Sequence, residues 1–162
     1  MKDIECIESH GKIIGRGKDR KVYLLNDKVY KISYEGSAFK NAGEFRKYLV
    51  NKDRNPVIYN PVIDISPDSK VLEVEKCISI VQFIENILNI KLTDLEMQKM
   101  FDIRFSDLVK KYKFESYLPA EWDDIDDFLF KTNNDDFEES QYFRNWGYNI
   151  KRKHLVLLDY AD

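Results

Sequence analysis

The apolar period of this chain changes once, and that change does most to limit the folds open to it. Up to about residue 75 apolar and polar residues alternate over short runs; from Ile80 onward the apolar residues recur at helical spacing. Lys12-Ile13-Ile14, Lys21 to Leu25 and Val29 to Tyr34 are rich in β-branched and aromatic residues and are bounded by turn formers, Asn26-Asp27 among them. They predict three short antiparallel strands. A second hairpin is expected from Val62-Ile63-Asp64-Ile65 and Val71 to Glu75, joined by the turn Ser66-Pro67-Asp68-Ser69. Between the two, residues 37–51 place Phe39, Ala42, Phe45, Leu49 and Val50 at helical spacing behind Ser37 as cap, with Gly43 weakening the middle.

Beyond Ile80, one helix is expected to bury Val81, Phe83, Ile84, Ile87, Leu88 and Ile90. A second, capped by Thr93 or Asp94, would turn Leu95, Met100, Phe101, Phe105, Leu108, Val109 and Tyr112 to a core. A short helix with Trp122, Ile125, Phe128, Leu129 and Phe130 follows, and Leu155 to Asp159 reads as a buried strand. Sheet first and helices after make an α+β chain.

Bulk properties narrow the function classes. At 162 residues and 43% apolar the chain can bury one core with two lobes. A formal charge of −3 argues against a nucleic-acid partner. Charge is uneven, however. Residues 1–57 hold thirteen Lys or Arg against eight Asp or Glu, and residues 121–139 hold nine acids against Lys131 alone. Cys6 and Cys77 lack metal-ligand spacing, and His10 and His154 cannot complete a zinc set, so buried free thiols are expected. No apolar run reaches membrane-spanning length and the first residues have no signal-peptide core, so the expected location is cytoplasmic, without membrane attachment.

Several short motifs fall in a telling order. Gly-Arg-Gly-Lys-Asp-Arg-Lys-Val at 15–22 resembles the glycine-rich loop of the protein kinase-like fold, with Arg20 where the third glycine would stand. Val-Tyr-Lys-Ile at 29–32 resembles the strand that carries the phosphate-holding lysine, which would be Lys31. Glu44, thirteen residues on, matches its acidic partner on the following helix. Val71 to Cys77 resembles the strand and hinge whose backbone, at Glu75 to Cys77, meets a purine. Asn145, within Asn-Trp-Gly-Tyr, and Asp159, near the end of His154 to Asp162, resemble the metal-binding Asn and Asp of the family.

The resemblance implies a five-stranded small lobe with one helix over residues 1–77 and a reduced, mainly helical large lobe with a terminal strand over 78–162, in a single domain. It also implies that, if a nucleotide is retained, Gly15, Gly17, Lys31 and Glu44 would hold it, with magnesium on Asn145 and Asp159. The departures point elsewhere. The family's catalytic aspartate lies five positions before the Asn, and here that position is Ser140, which cannot accept a proton as a carboxylate does. Glu138 or Glu139 would have to be rotated into its place. Tyr160-Ala161 replaces Phe-Gly, and the sequence ends at Asp162, which leaves no activation segment to expect.

The expectation is therefore a degenerate kinase-like protein of the phage or mobile-element type. It would not be an enzyme, would need no cofactor, and would inhibit or redirect a host protein; an ATP-dependent protease such as Lon, a defence complex and a polymerase are candidate targets. The expected contact surface is the acidic segment, where the carboxylates of Asp123, Asp124, Asp126 and Asp127 lie beside Trp122 and Phe128 as aromatic anchors. The alternatives are a small ATP-dependent phosphotransferase, in which Glu139 replaces the missing base, and a nucleotide-binding switch.

Overall fold

Asn26 and Asp27 both adopt positive φ, 50° and 63°, the pair that a two-residue hairpin turn requires and that asparagine and aspartate tolerate best. That turn joins β2 (Arg20–Leu25) to β3 (Lys28–Ser33) in unbroken antiparallel register. The computed structural model describes residues 1–54, 58–132 and 134–158. They fall into two units, one of residues 1–53 with 60–76, the other of residue 54, residues 58–59, 77–132 and 134–158.

In the first unit the five strands β1 (Lys12–Arg16), β2, β3, β4 (Val62–Ile65) and β5 (Val71–Val74) form one antiparallel sheet in the order β1-β2-β3-β5-β4. Strand alternation sorts its side chains onto two faces. Tyr23, Leu25, Tyr30, Ile32 and Val71 pack with Ile7 of α1 (Ile4–His10), a helix that the sequence pattern does not announce. Val29, Val62, Leu72 and Val74 pack on the other side with Val22, Leu24, and Phe45 and Tyr48 of α2 (Ala38–Asn51). The expected helical face is corrected here: Phe39, Leu49 and Val50 are exposed, and the stripe that meets the sheet is Asn41, Glu44, Phe45 and Tyr48.

The second unit has a three-stranded antiparallel sheet, β6 (Cys77–Ser79), β7 (Trp146–Asn149) and β8 (His154–Leu157), in that order. Around it stand α3 (Ile80–Asn86), α4 (Asp94–Met100), α5 (Phe105–Tyr112), α6 (Trp122–Thr132) and α7 (Asn134–Ser140). Capping boxes at Ser79/Gln82 and Thr93/Glu96 start α3 and α4. The single helix expected from 94 to 112 is two, because Arg104 is extended and the Phe105 amide donates to the Gln141 carbonyl, which starts α5 afresh. Leu95 and Phe101 are consequently exposed, whereas Met100, Phe105, Leu108 and Val109 are buried.

Aromatic packing fills the interior of this unit. Phe83 meets Phe114, Tyr117 and Tyr148 at ring centroid distances of 5.4, 5.0 and 4.9 Å, and Phe105 stacks on Trp146 at 4.8 Å. Tyr59 donates its hydroxyl to buried Asp136 at 2.9 Å, and burial, reinforced by that carboxylate, pushes the phenol well above its ordinary range. Cys6 and Cys77 are free and half-buried. Among the described residues no helix is long and apolar enough to cross a membrane.

Gly147 sits where a Cβ would lie 2.9 Å from the Cys77 Cβ and 2.9 Å from a Leu158 methyl. Gly147→Ala is expected to destabilise the protein by about 1–3 kcal/mol through overpacking, measured as a lower urea midpoint with unchanged slope.

Candidate phosphate-binding site

Period-two alternation along β3 places Lys31 on the α2 side of the sheet together with Val29, and the register sets Val22 directly across from it. Arg20, two positions before Val22, therefore shares that face. On α2, Asn41 and Glu44 lie three apart and point inward, each with no exposed surface. One carboxylate then gathers both cations: Lys31 Nζ donates to Glu44 Oε1 at 2.6 Å and Arg20 Nη1 to Glu44 Oε2 at 2.5 Å. Asn41 completes the group. Its Oδ1 accepts from Arg20 Nη1 at 3.3 Å, while its Nδ2 donates to the carbonyls of Lys31 at 3.2 Å and Lys70 at 2.9 Å.

The structure thus brings Lys31 and Glu44 together and adds two residues that the motif comparison did not assign. Arg20 stands out in the sequence only as a replaced glycine. Asn41 could have been found by extending the helical phase of Glu44 one turn back, had the apolar residues of α2 not suggested a different face.

Gly15 lies within β1, and Gly17 lies in the turn that follows it. The Gly17 amide donates to the Arg20 carbonyl at 2.8 Å and closes the β1–β2 hairpin. A Cβ at Gly15 would meet Val22 at 3.5 Å and one at Gly17 would meet the Arg20 carbonyl at 3.7 Å, both ordinary contacts. Asp19 ties the same turn down, its carbonyl accepting from the Tyr34 amide at 2.9 Å and its carboxylate from Ser37 Oγ at 3.4 Å. At the expected hinge, the Glu75 amide donates to the Pro61 carbonyl and its carbonyl accepts from Asn60 Nδ2, each at 2.9 Å.

In the second unit Asn145 is buried, and its Nδ2 donates to the Glu139 carbonyl at 3.0 Å and to Glu139 Oε2. Ser140, at the family's aspartate position, is fully buried and donates its hydroxyl to the Phe137 carbonyl at 2.7 Å within α7. The carboxylate beside Asn145 is thus that of Glu139, one residue earlier than the motif spacing places it. Asp159, the other expected metal ligand, lies outside the described residues, and among those described no cluster of three His, Cys, Asp or Glu side chains is suited to a metal ion. On α6, Trp122 is half-buried against Phe105 and Trp146 at 5.6 and 5.9 Å, so its ring is part of the interior packing rather than a free anchor. Asp123 and Asp124 are exposed, Asp126 accepts from Gln141 Nε2 at 3.1 Å, and Asp127 pairs with Lys131 at 2.5 Å.

No protein-family model and no curated protein matches the chain. Among solved structures, the ternary complex of streptomycin, ATP and APH(2")-IIa matches over 98% of this chain and 72% of the other, at 12% identity and a TM-score of 0.40. The expectation that the chain is not an enzyme does not stand. A likeness at that level assigns no activity to the present chain, and its catalytic status is not established. The structure itself provides the mixed α+β architecture and the five-stranded antiparallel sheet with a helix.

Glu44→Ala is expected to cost about 3–5 kcal/mol, because it removes a buried carboxylate that pairs with both Lys31 and Arg20. Lys31→Met should cost less, since Arg20 still pairs Glu44. Urea denaturation of the two variants side by side gives the ranking.

Proposed function

We propose that the protein is a kinase-like nucleotide-binding module that holds a nucleotide's phosphates at Lys31. The observation that carries this reading is the buried Lys31–Glu44 pair at 2.6 Å, which joins strand to helix. A buried ion pair is a poor way to gain stability, since an apolar pair of similar volume often does as well. Its worth lies in orientation. Glu44 fixes the ammonium at a set place on the sheet, and an ammonium so held is a point charge for a phosphate oxygen.

Saturating ATP with magnesium should raise the melting temperature by several degrees, since ligand at a hundredfold its Kd adds about 2.7 kcal/mol to stability. Lys31→Met should abolish the shift while the fold persists. A wild-type protein with no shift at millimolar nucleotide would refute the reading.

A second reading, action on another protein, is favoured by one observation on α6. Asp123, Asp127 and Phe130, spaced along one side of the helix, are all exposed, Phe130 by 63%. Such a surface suits a basic partner with an apolar pocket. Charge reversal by Asp123→Lys with Asp127→Lys should slow association with that partner and flatten its salt dependence. Unchanged association rates across ionic strength would remove α6 from consideration.

A further inference from the structure

We propose that the aromatic cleft between residues 100–103 and 142–144 is the docking site for helix α6 of a second copy of this chain, so that the protein associates head to tail through its second unit. The inference rests on the reading of α6 as a contact surface and goes beyond it in naming the acceptor surface and the partner.

The cleft is a product of two turns. α4 ends at Met100, and the Phe105 amide is fastened to the Gln141 carbonyl at 2.9 Å, which lays residues 100–104 beside the turn that follows α7. Met100, Phe101, Ile103, Tyr142, Phe143 and Arg144 line the recess between them. Met100 and Phe143 are buried, whereas Phe101 and Tyr142 stand at the rim, 62% and 46% exposed. Phe101 meets Phe143 edge-on at 5.2 Å, so the rim ring is held in place. Arg144 lies over the Tyr142 ring at 5.0 Å, and among the described residues no carboxylate pairs with it. Lys99, Arg104 and Arg144, all exposed, outnumber Asp102 here. An apolar recess beside such a guanidinium suits a ring that carries an acid next to it.

Helix α6 presents that combination. Phe130 is 63% exposed and is steadied edge-on by Phe137 at 5.4 Å, and Asp127, three residues back, sits about 4.5 Å from it along the helix axis. Seating the Phe130 ring against Phe101 and Phe143 therefore brings Asp127 to the rim at Arg144, with exposed Asp123 one turn further on. Asp127 exchanges a solvent-exposed pairing with Lys131 for a planar fork beside apolar surface. The meeting is between molecules, because α6 buries Ile125 and Leu129 in its own unit and so turns Phe130 outward. The outer face of α2 also sets Phe39 and Val50 near cations, but it is the convex side of a helix, and a protruding ring gains most where it enters a recess. Since cleft and helix are different patches, each copy in a pair keeps one surface free for the next.

The test is sedimentation velocity of the full chain over a concentration series reaching about 500 µM, the range in which a small interface shows itself. Wild type, Phe130→Ser, Asp127→Lys and Arg144→Glu are compared, and a urea midpoint for each variant confirms that it is folded. Wild type should form dimers and then larger species, and each variant should raise the dissociation constant by about tenfold or more. Mixing Phe130→Ser with Arg144→Glu should give a complex of two chains that grows no further, since one supplies an intact cleft and the other an intact helix. Asp127→Lys combined with Arg144→Glu in one chain should recover part of the association. If the two α6 variants weaken association and Arg144→Glu does not, the cleft is overturned and α6 stands as a contact surface. If Arg144→Glu alone weakens it, α6 is overturned as the occupant. Wild type that stays monomeric throughout overturns the proposal and leaves the charge-reversal test of α6 against a basic partner untouched.

Discussion

A carboxylate with no exposed surface persists as an ion only if its charge is met and its oxygens are hydrogen-bonded, and the first unit is arranged around meeting that condition at Glu44. Lys31 and Arg20 reach it from adjacent strands, and Asn41 locks the arrangement to the sheet backbone. The rotation of α2 about its own axis follows from this. With Asn41 and Glu44 fixed inward, Phe45 and Tyr48 are carried onto the patch around Val29, Leu72 and Val74, and Phe39, Leu49 and Val50 are left outside. A polar anchor sets the helix phase, and the apolar contacts fall in behind it.

That order of precedence explains much of what the sequence revealed and withheld. The meander was legible because Asn26-Asp27 and Ser66 to Ser69 are turn chemistry with few alternatives, and because β-branched and aromatic residues alternate beside them. Lys31 and Glu44 were legible through spacing within a family pattern. The buried face of α2 was misread because hydrophobic periodicity assumes that the apolar residues choose the face, an assumption that fails when a buried ion pair outweighs them. Strands β6 and β7, three and four residues long, carry too few side chains to show a period, and their residues had been absorbed into motif readings of a hinge and a loop. In α1, Ile7 alone is buried, so no stripe marks it.

In the second unit geometry overrides spacing in a different way. Counting back from Asn145 reaches Ser140, whose hydroxyl is turned into α7, but the amide of Asn145 selects Glu139. Motif spacing counts residues along an assumed loop, whereas here a helix ends at Ser140 and a short turn intervenes before Asn145, which shifts the residue brought alongside. The aromatic interior was visible as composition, but its membership was not. Trp122 was read as a surface anchor because it lies among acids, yet its ring turns inward to Phe105 and Trp146. Sequence neighbours say little about which side of a helix a lone tryptophan takes.

The closed β1–β2 turn bears on how quickly a ligand would come and go. Its tip is fastened at Gly17, at Tyr34 and at Ser37, so little backbone freedom is left there to lose on association. A flap that must fold over its ligand slows both arrival and escape, whereas a fastened rim leaves the approach open in both directions. For any ligand taken at this rim, association would be limited by encounter rather than by a closing step, and binding would cost little ordering of the loop.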